Sequence, residues 1–180
     1  MSQTLVIIDI QRDYFPGGAY PLVGADAAAE RAATLLAHQR ESGGRVIHVQ
    51  HESREEGADM LVPGTPGGEI DPRVAPRDGE TVVRKTFPNA FLETGLHELL
   101  GGGAASDLLV VGMMSSMCVD ATVRAAVDLG YDVTVAADAC AAPDLEFDGR
   151  TIGGADVHAA FMAALASAYA RVETVADLVG

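Results

Sequence analysis

Apolar residues along this chain switch repeatedly between two spacings. Thr4–Ile10 is a near-continuous apolar run, the mark of a strand covered on both faces. Asp26–Arg40 carries its apolar residues at helical spacing and ends at Gly43-Gly44. A second strand is predicted at Arg45–Gln50 and a third at Thr81–Arg84. Leu92–Leu100 reads as a helix stopped by Gly101-Gly102-Gly103. Asp107–Gly112 is the fourth strand, and Met113–Met117 a short turn. Cys118–Leu129 follows as a helix stopped by Gly130. Tyr131–Ala136, a long Ala-rich helix over Ala155–Tyr169 and a last strand at Arg171–Thr174 complete the pattern. Residues His51–Gly79 are rich in Gly, Pro and charge and hold no periodic element. That is long for a structureless connection, which suggests a lid or a subunit contact.

About six strands alternating with helices imply an α/β fold. The expected architecture is a doubly wound, mainly parallel sheet of about six strands, in the order 3-2-1-4-5-6, with helices on both faces. A length of 180 residues suits one domain spanning 1–180. In such folds ligands bind beyond the carboxyl ends of the strands, near the point where strand order reverses. Asp9 ends strand one and Cys118 follows strand four, the two strands that flank this point. Lys85 follows strand three on the same edge. Residues far apart in sequence therefore converge on one crevice.

A net charge of −14 argues against nucleic acid and anionic membranes as partners. No apolar run reaches membrane-span length, and the first strand is too short for a signal peptide. Two cysteines far apart in sequence do not form a disulfide framework, and a reducing cytoplasm is the simplest setting.

Cys118 sits where a strand turns into a helix. Unpaired N–H groups and the positive end of the helix dipole favour thiolate there, and the same N–H groups can bind an oxyanion. A small buried hydrophobe packing the helix start fits the same position. Asp9 ends an apolar run, where a charge is costly unless paired or functional. A carboxylate capping a turn is the alternative for Asp9, and an exposed solubilising side chain the alternative for Lys85. Together the three supply a base, a cation and a nucleophile.

Asp9-Ile10-Gln11-Arg12-Asp13-Tyr14-Phe15 resembles the first motif of the isochorismatase-like cysteine hydrolases, relatives of nicotinamidase and N-carbamoylsarcosine amidohydrolase. Lys85-Thr86-Phe87-Pro88-Asn89-Ala90-Phe91 resembles their lysine motif. Gly112–Thr122, around Cys118, resembles their nucleophile turn, and Tyr131–Ala139 is similar to the family as well. The resemblance implies that Asp9 takes the proton of Cys118, whose thiolate attacks an amide carbonyl. Lys85 holds the pair in register and stabilises negative charge. Asp9 then protonates the leaving amine and activates water against the thioester. It further implies an oxyanion hole from the backbone N–H groups of Met114 and Cys118, and a non-proline cis peptide joining Met113 and Met114.

Nicotinamidases of this family hold a metal through an Asp-x-His pair and further histidines. Here the region reads Gln50-His51-Glu52, with no further His before His97, so no metal and no cofactor are expected. His51 is a lone ligand or a polar rim residue. Isochorismate-cleaving members lack the cysteine, so Cys118 favours an amide-type substrate. His158 reads as a packed or surface histidine, and Cys140 as non-catalytic. Phe15, Phe91, Met114 and Met117 flank the motifs; Phe15, Phe91 and Met117 are expected to line an apolar substrate pocket, with ordinary core as the alternative. The expected function is hydrolysis of a C–N bond (amide, lactam or carbamoyl) in a small molecule. The alternatives are a hydrolase of a non-amide bond and a redox-sensing thiol protein. The expected assembly is a homo-oligomer, a dimer or tetramer, as is common in the family.

Overall fold

The structure is a computed structural model that describes residues 3–102 and 107–180. Gly103 of the glycine stop after the Leu92–Leu100 region lies outside the described residues. The chain runs through β1 (Thr4–Ile8), α1 (Ala25–Glu41), β2 (Val46–His51), β3 (Thr81–Lys85) and α2 (Leu96–Leu99). It continues through β4 (Asp107–Met113), α3 (Asp120–Asp128), β5 (Asp132–Ala141) and a hairpin of β6 (Leu145–Phe147) and β7 (Arg150–Ile152). The last elements are α4 (Gly154–Ala168), β8 (Arg171–Glu173) and α5 (Val175–Val179). The main sheet has six strands in the order β3-β2-β1-β4-β5-β8. All its neighbours pair in parallel. The sixth strand of the sequence reading is β8, so the expected order holds, with the β6–β7 hairpin intervening in the chain.

Side chains alternate across a strand, so each central strand feeds two cores. Leu5 and Ile7 face α1 and α5, among Ala29, Ala32, Leu35 and Val175. Val6 and Ile8 face the other layer, among Val123, Ala126, Met162 and Leu165 of α3 and α4. Burying each such aliphatic side chain contributes roughly 1.5–3 kcal/mol. Strands buried on both faces are why β1 and β4 lack a polar side.

Four elements depart from the sequence reading. The first strand ends at Ile8, because Asp9 takes a positive φ of 48° and turns the chain. The Leu92–Leu100 region is helical only over α2. Thr94 explains the late start: its hydroxyl donates to the Ala90 carbonyl at 2.6 Å and accepts from the Leu96 N–H at 3.2 Å. Cys118 lies in a π-turn, Ser115–Val119, and regular α-helix begins only at Asp120. β5 runs on to Ala141. Three elements were missed, the hairpin strands β6 and β7 and the helix α5. The hairpin turns at Asp148-Gly149, and α5 starts at a reciprocal cap between Thr174 and Asp177.

The long 51–79 connection holds one short 3₁₀ turn, Pro72–Val74. It is tied to the segment after β1. The Asp13 carboxylate accepts from the Leu61 N–H at 2.6 Å, and the Ile10 carbonyl accepts from the Asp71 N–H at 2.8 Å. Among the described residues no helix is long and apolar enough to cross a membrane.

Candidate active site

Parallel strands bring their carboxyl ends to one edge, and four neighbouring ends build the site. Asp9 lies one residue past β1, His51 and Lys85 end β2 and β3, and Cys118 lies in the turn after β4. The Asp9 N–H is held by the Val49 carbonyl at 3.0 Å. Aspartate tolerates the left-handed backbone better than most residues. Gly112 lets β4 close on β1 there: a Cβ at this position would lie 2.0 Å from the Ile8 carbonyl oxygen. The Met113–Met114 peptide that follows is cis, at the place the resemblance implies.

Lys85 Nζ is the centre of the cluster. It lies 2.6 Å from Asp9 Oδ2, 3.0 Å from His51 Nδ1 and 3.2 Å from Cys118 Sγ. An ammonium has three protons and no acceptor, so these three contacts use its whole capacity. The side chains of Lys85 and Asp9 are both fully buried. Burial works against the ammonium, but Asp9 and then Cys118 outweigh it and hold its pKa above the usual lysine value. Among the described residues neither Asp9 oxygen has a hydrogen bond of good geometry: Oδ2 is held by Lys85 as an ion pair, and Oδ1 stays available as an acceptor.

Burial pushes the Cys118 thiol up, and the Asp9 carboxylate adds to it; Lys85 opposes both and loses. The resting group is a thiol, against the thiolate that a helix N-terminus alone would favour. Desolvation wins because Cys118 is only 5% exposed. Proton removal therefore needs a base, and an Asp9 carboxylate oxygen lies within 4.8 Å of the sulfur.

Two polar clamps hold this arrangement, and sequence reasoning missed both. Gln11 grips the end of β2: its amide donates to the His51 carbonyl at 3.0 Å and to the Gly68 carbonyl at 2.8 Å. Its side-chain oxygen accepts from the His51 N–H at 2.8 Å. Ser115 Oγ in the nucleophile turn lies 2.8 Å from His158 Nδ1 on α4. Burial lowers the His158 pKa, which keeps that ring neutral. The buried polar Gln11 directly after an apolar run was the signal available for the first clamp. Nothing local in the sequence pointed to the second.

The expected pocket residues occupy three separate surfaces. Phe15 lines a cavity of about 260 Å³ with Arg12, Asp13 and Gly67, its ring 4.5 Å beneath the Arg73 guanidinium carbon. Phe91 stacks on Tyr131 at 5.7 Å and faces a groove along α3. Met117 is 47% exposed on the turn surface. Two cavities touch the cluster: one of about 520 Å³, lined by His51, Ser53, Arg54, Glu55, Phe87 and Pro88, and one of about 190 Å³ that reaches Lys85 beside Glu52 and Arg84. Phe87 enters the larger because Lys85 ends β3 and the chain turns outward from Thr86. Cys140 lies in β5 opposite Gly112, buried, with burial pushing its thiol up to about 12.

Asp9, His51 and Cys118 offer ligand atoms within 4.8 Å of one another. The Lys85 ammonium already donates to all three. A divalent ion there would have to displace a buried cation from an ion pair, so the group does not fit a metal.

The chain matches the model of the isochorismatase domain over residues 3–177. It is 45% identical over 174 residues to the isochorismatase family protein YddQ of Bacillus subtilis, covering 97% of each. It is 30% identical over 145 residues to maleamate amidohydrolase of Pseudomonas putida, covering 73% of this chain and 68% of that protein. The crystal structure of an isochorismatase from Pseudomonas putida superimposes with a TM-score of 0.92 at 40% identity, covering 98% of this chain and 89% of that one.

Proposed function

The chain belongs to the isochorismatase family of hydrolases, and from that premise we propose that it hydrolyses a C–N bond of a small amide, lactam or carbamoyl compound through a thioester on Cys118. The observation that carries this reading is the Lys85 ammonium, bonded at once to Asp9 at 2.6 Å and to Cys118 at 3.2 Å in a buried site. Asp9 takes the thiol proton, and Cys118 Sγ attacks the substrate carbonyl carbon. As the C–N bond breaks, Asp9 returns that proton to the leaving nitrogen. Water then enters, Asp9 takes one of its protons, and the thioester C–S bond breaks to release the acid and restore the thiol.

Lys85 pairs with Asp9 at 2.6 Å and lowers the cost of thiolate as it forms. Its donors are all in use, so the developing oxyanion falls to the backbone N–H groups of Met114 and Cys118. Vinyl-ether cleavage needs no thiol, so a cysteine wired into the cluster favours the amide. A peroxide sensor needs a low-pKa, accessible thiolate, whereas burial and Asp9 push this thiol up. The amidohydrolase among the relatives supports the same bond type. A catalytic thiol suits a reducing, cytoplasmic setting. The experiment is ammonia release from a panel of small carboxamides, with Cys118→Ala as the control. Turnover by wild type that Cys118→Ala abolishes supports the reading; equal turnover by both overturns it.

A further inference from the structure

Every donor of Lys85 is committed within the protein, so a substrate needs another group to orient it. His51 joins the cluster to the 520 Å³ cavity: its Nδ1 lies 3.0 Å from Lys85 Nζ, and its ring lines the cavity wall. Lys85 can only donate, so Nδ1 must accept. In a neutral imidazole the proton then sits on Nε2. One observation keeps the ring neutral and a second fixes its place. It is half-buried beside a cation, and burial, then Lys85, lower its pKa, with Asp9 and Glu55 opposing. Gln11 holds the His51 backbone on both its N–H and its carbonyl, which fixes where the ring sits. Among the described residues Nε2 has no partner in the protein.

The charges around the cavity cancel. The Arg54 guanidinium is taken up by Glu52, which also pairs with Arg84 at 2.9 Å, and Glu55 lies on the same wall. Among the described residues both guanidiniums near this cavity are paired with a carboxylate, and the apolar surface comes from Phe87 and Pro88.

We infer that His51 is a substrate-positioning residue whose Nε2–H donates to a second, uncharged carbonyl oxygen of the substrate, so that the enzyme selects amides carrying a neutral carbonyl beyond the scissile one. The inference rests on the reading of the cluster as a hydrolase site and deepens it. A donor left without its acceptor penalises analogues that lack the oxygen, by about tenfold or more.

The test uses Cys118→Ser, which cannot complete the thiol chemistry but keeps an acceptor for Lys85. With the histidine rings labelled with ¹⁵N, the His51 signals should show a bare Nδ1 and a protonated Nε2. Adding succinamide should shift the Nε2–H resonance, at concentrations about tenfold below those at which butyramide or succinamate does so. His51→Gln, which retains a donor, should keep a preference for succinamide in binding; His51→Leu should lose it. A proton on Nδ1, no shift with succinamide, or an equal response to all three compounds would overturn the inference. None of these outcomes bears on the thioester, whose test is separate. Failure of one reading is therefore distinguishable from failure of the other.

Discussion

Asp9 follows β1 and Lys85 ends β3, two strands that never touch since β2 lies between them, yet their side chains meet at 2.6 Å. Lysine is long enough to cross the end of β2, and it contacts His51, the last residue of that strand, on the way. The ion pair is fully buried, so each partner depends on the other.

Removing the thiol separates the roles of the two cysteines. Cys118→Ala should abolish turnover with the fold retained, as judged by circular dichroism. Cys140→Ala should stay close to wild type, because its sulfur bonds to backbone, at the Ala136 carbonyl 3.5 Å away and at Gly112, and to no side chain of the cluster. Loss of activity in Cys140→Ala with an intact fold would contradict this assignment.

Alkylation of Cys118 by iodoacetamide should rise with pH and show no plateau at neutrality, since burial and Asp9 push the thiol up. The neighbours act in opposite directions, so their variants should too. Asp9→Asn removes a raising charge and should move the profile to lower pH, while turnover falls roughly 10²–10⁴-fold. Lys85→Met removes a lowering charge and should move the profile up. It should also cost about 3–5 kcal/mol of stability, because Asp9 is left buried without its cation. Coincident profiles for all three proteins would remove the electrostatic account.

Chelation should not reduce activity. Dialysis against EDTA, followed by assay and metal analysis, should leave the rate unchanged at well under one equivalent of bound metal. Loss on chelation restored by zinc, manganese or iron would mean that Asp9, His51 and Cys118 bind an ion in place of Lys85.

Glu80 offers a test of stability away from the site. The Arg40 guanidinium, at 2.8 and 2.7 Å, is the largest influence on this carboxyl, and its pKa is lowered to about 2 despite partial burial. The folded pKa lies below the unfolded one. The contribution is therefore fully present above the unfolded value of about 4.3 and lost as pH falls toward the folded one. Urea midpoints measured from neutral to acid pH should fall more steeply for wild type than for Glu80→Gln. Parallel curves would show that the contacts carry no linked protonation.

Most of the sheet was legible in the sequence because strands buried on both faces leave long apolar runs, as at Leu5–Ile8 and Leu108–Val111. Asp9, Lys85 and Cys118 could be placed on one edge because each follows such a run. What stayed illegible depends on side-chain reach. Nothing in the order of residues says that Lys85 spends its third proton on His51, or that Phe87 rather than Phe91 meets the cavity beside it. The thiol's surroundings were legible only in part: position at a helix start is local and visible, whereas the burial that opposes thiolate comes from the whole fold. The hairpin at Asp148-Gly149 carried a readable turn signal, but its strands of three residues are too short to show a period.

The thioester tests the central claim most directly. A substrate with a good leaving group acylates Cys118 with little help from an acid, and removing the Asp9 charge lets the thiol ionise at lower pH without a base, whereas deacylation still needs Asp9 to activate water. In Asp9→Asn, rapid mixing with an activated anilide and acid quenching should yield intact protein heavier by the acyl group. Peptide mapping should place that mass on the segment containing Cys118. Unmodified protein at every quench time, together with steady release of the anilide product and no burst, would show direct attack by water and contradict covalent catalysis by Cys118.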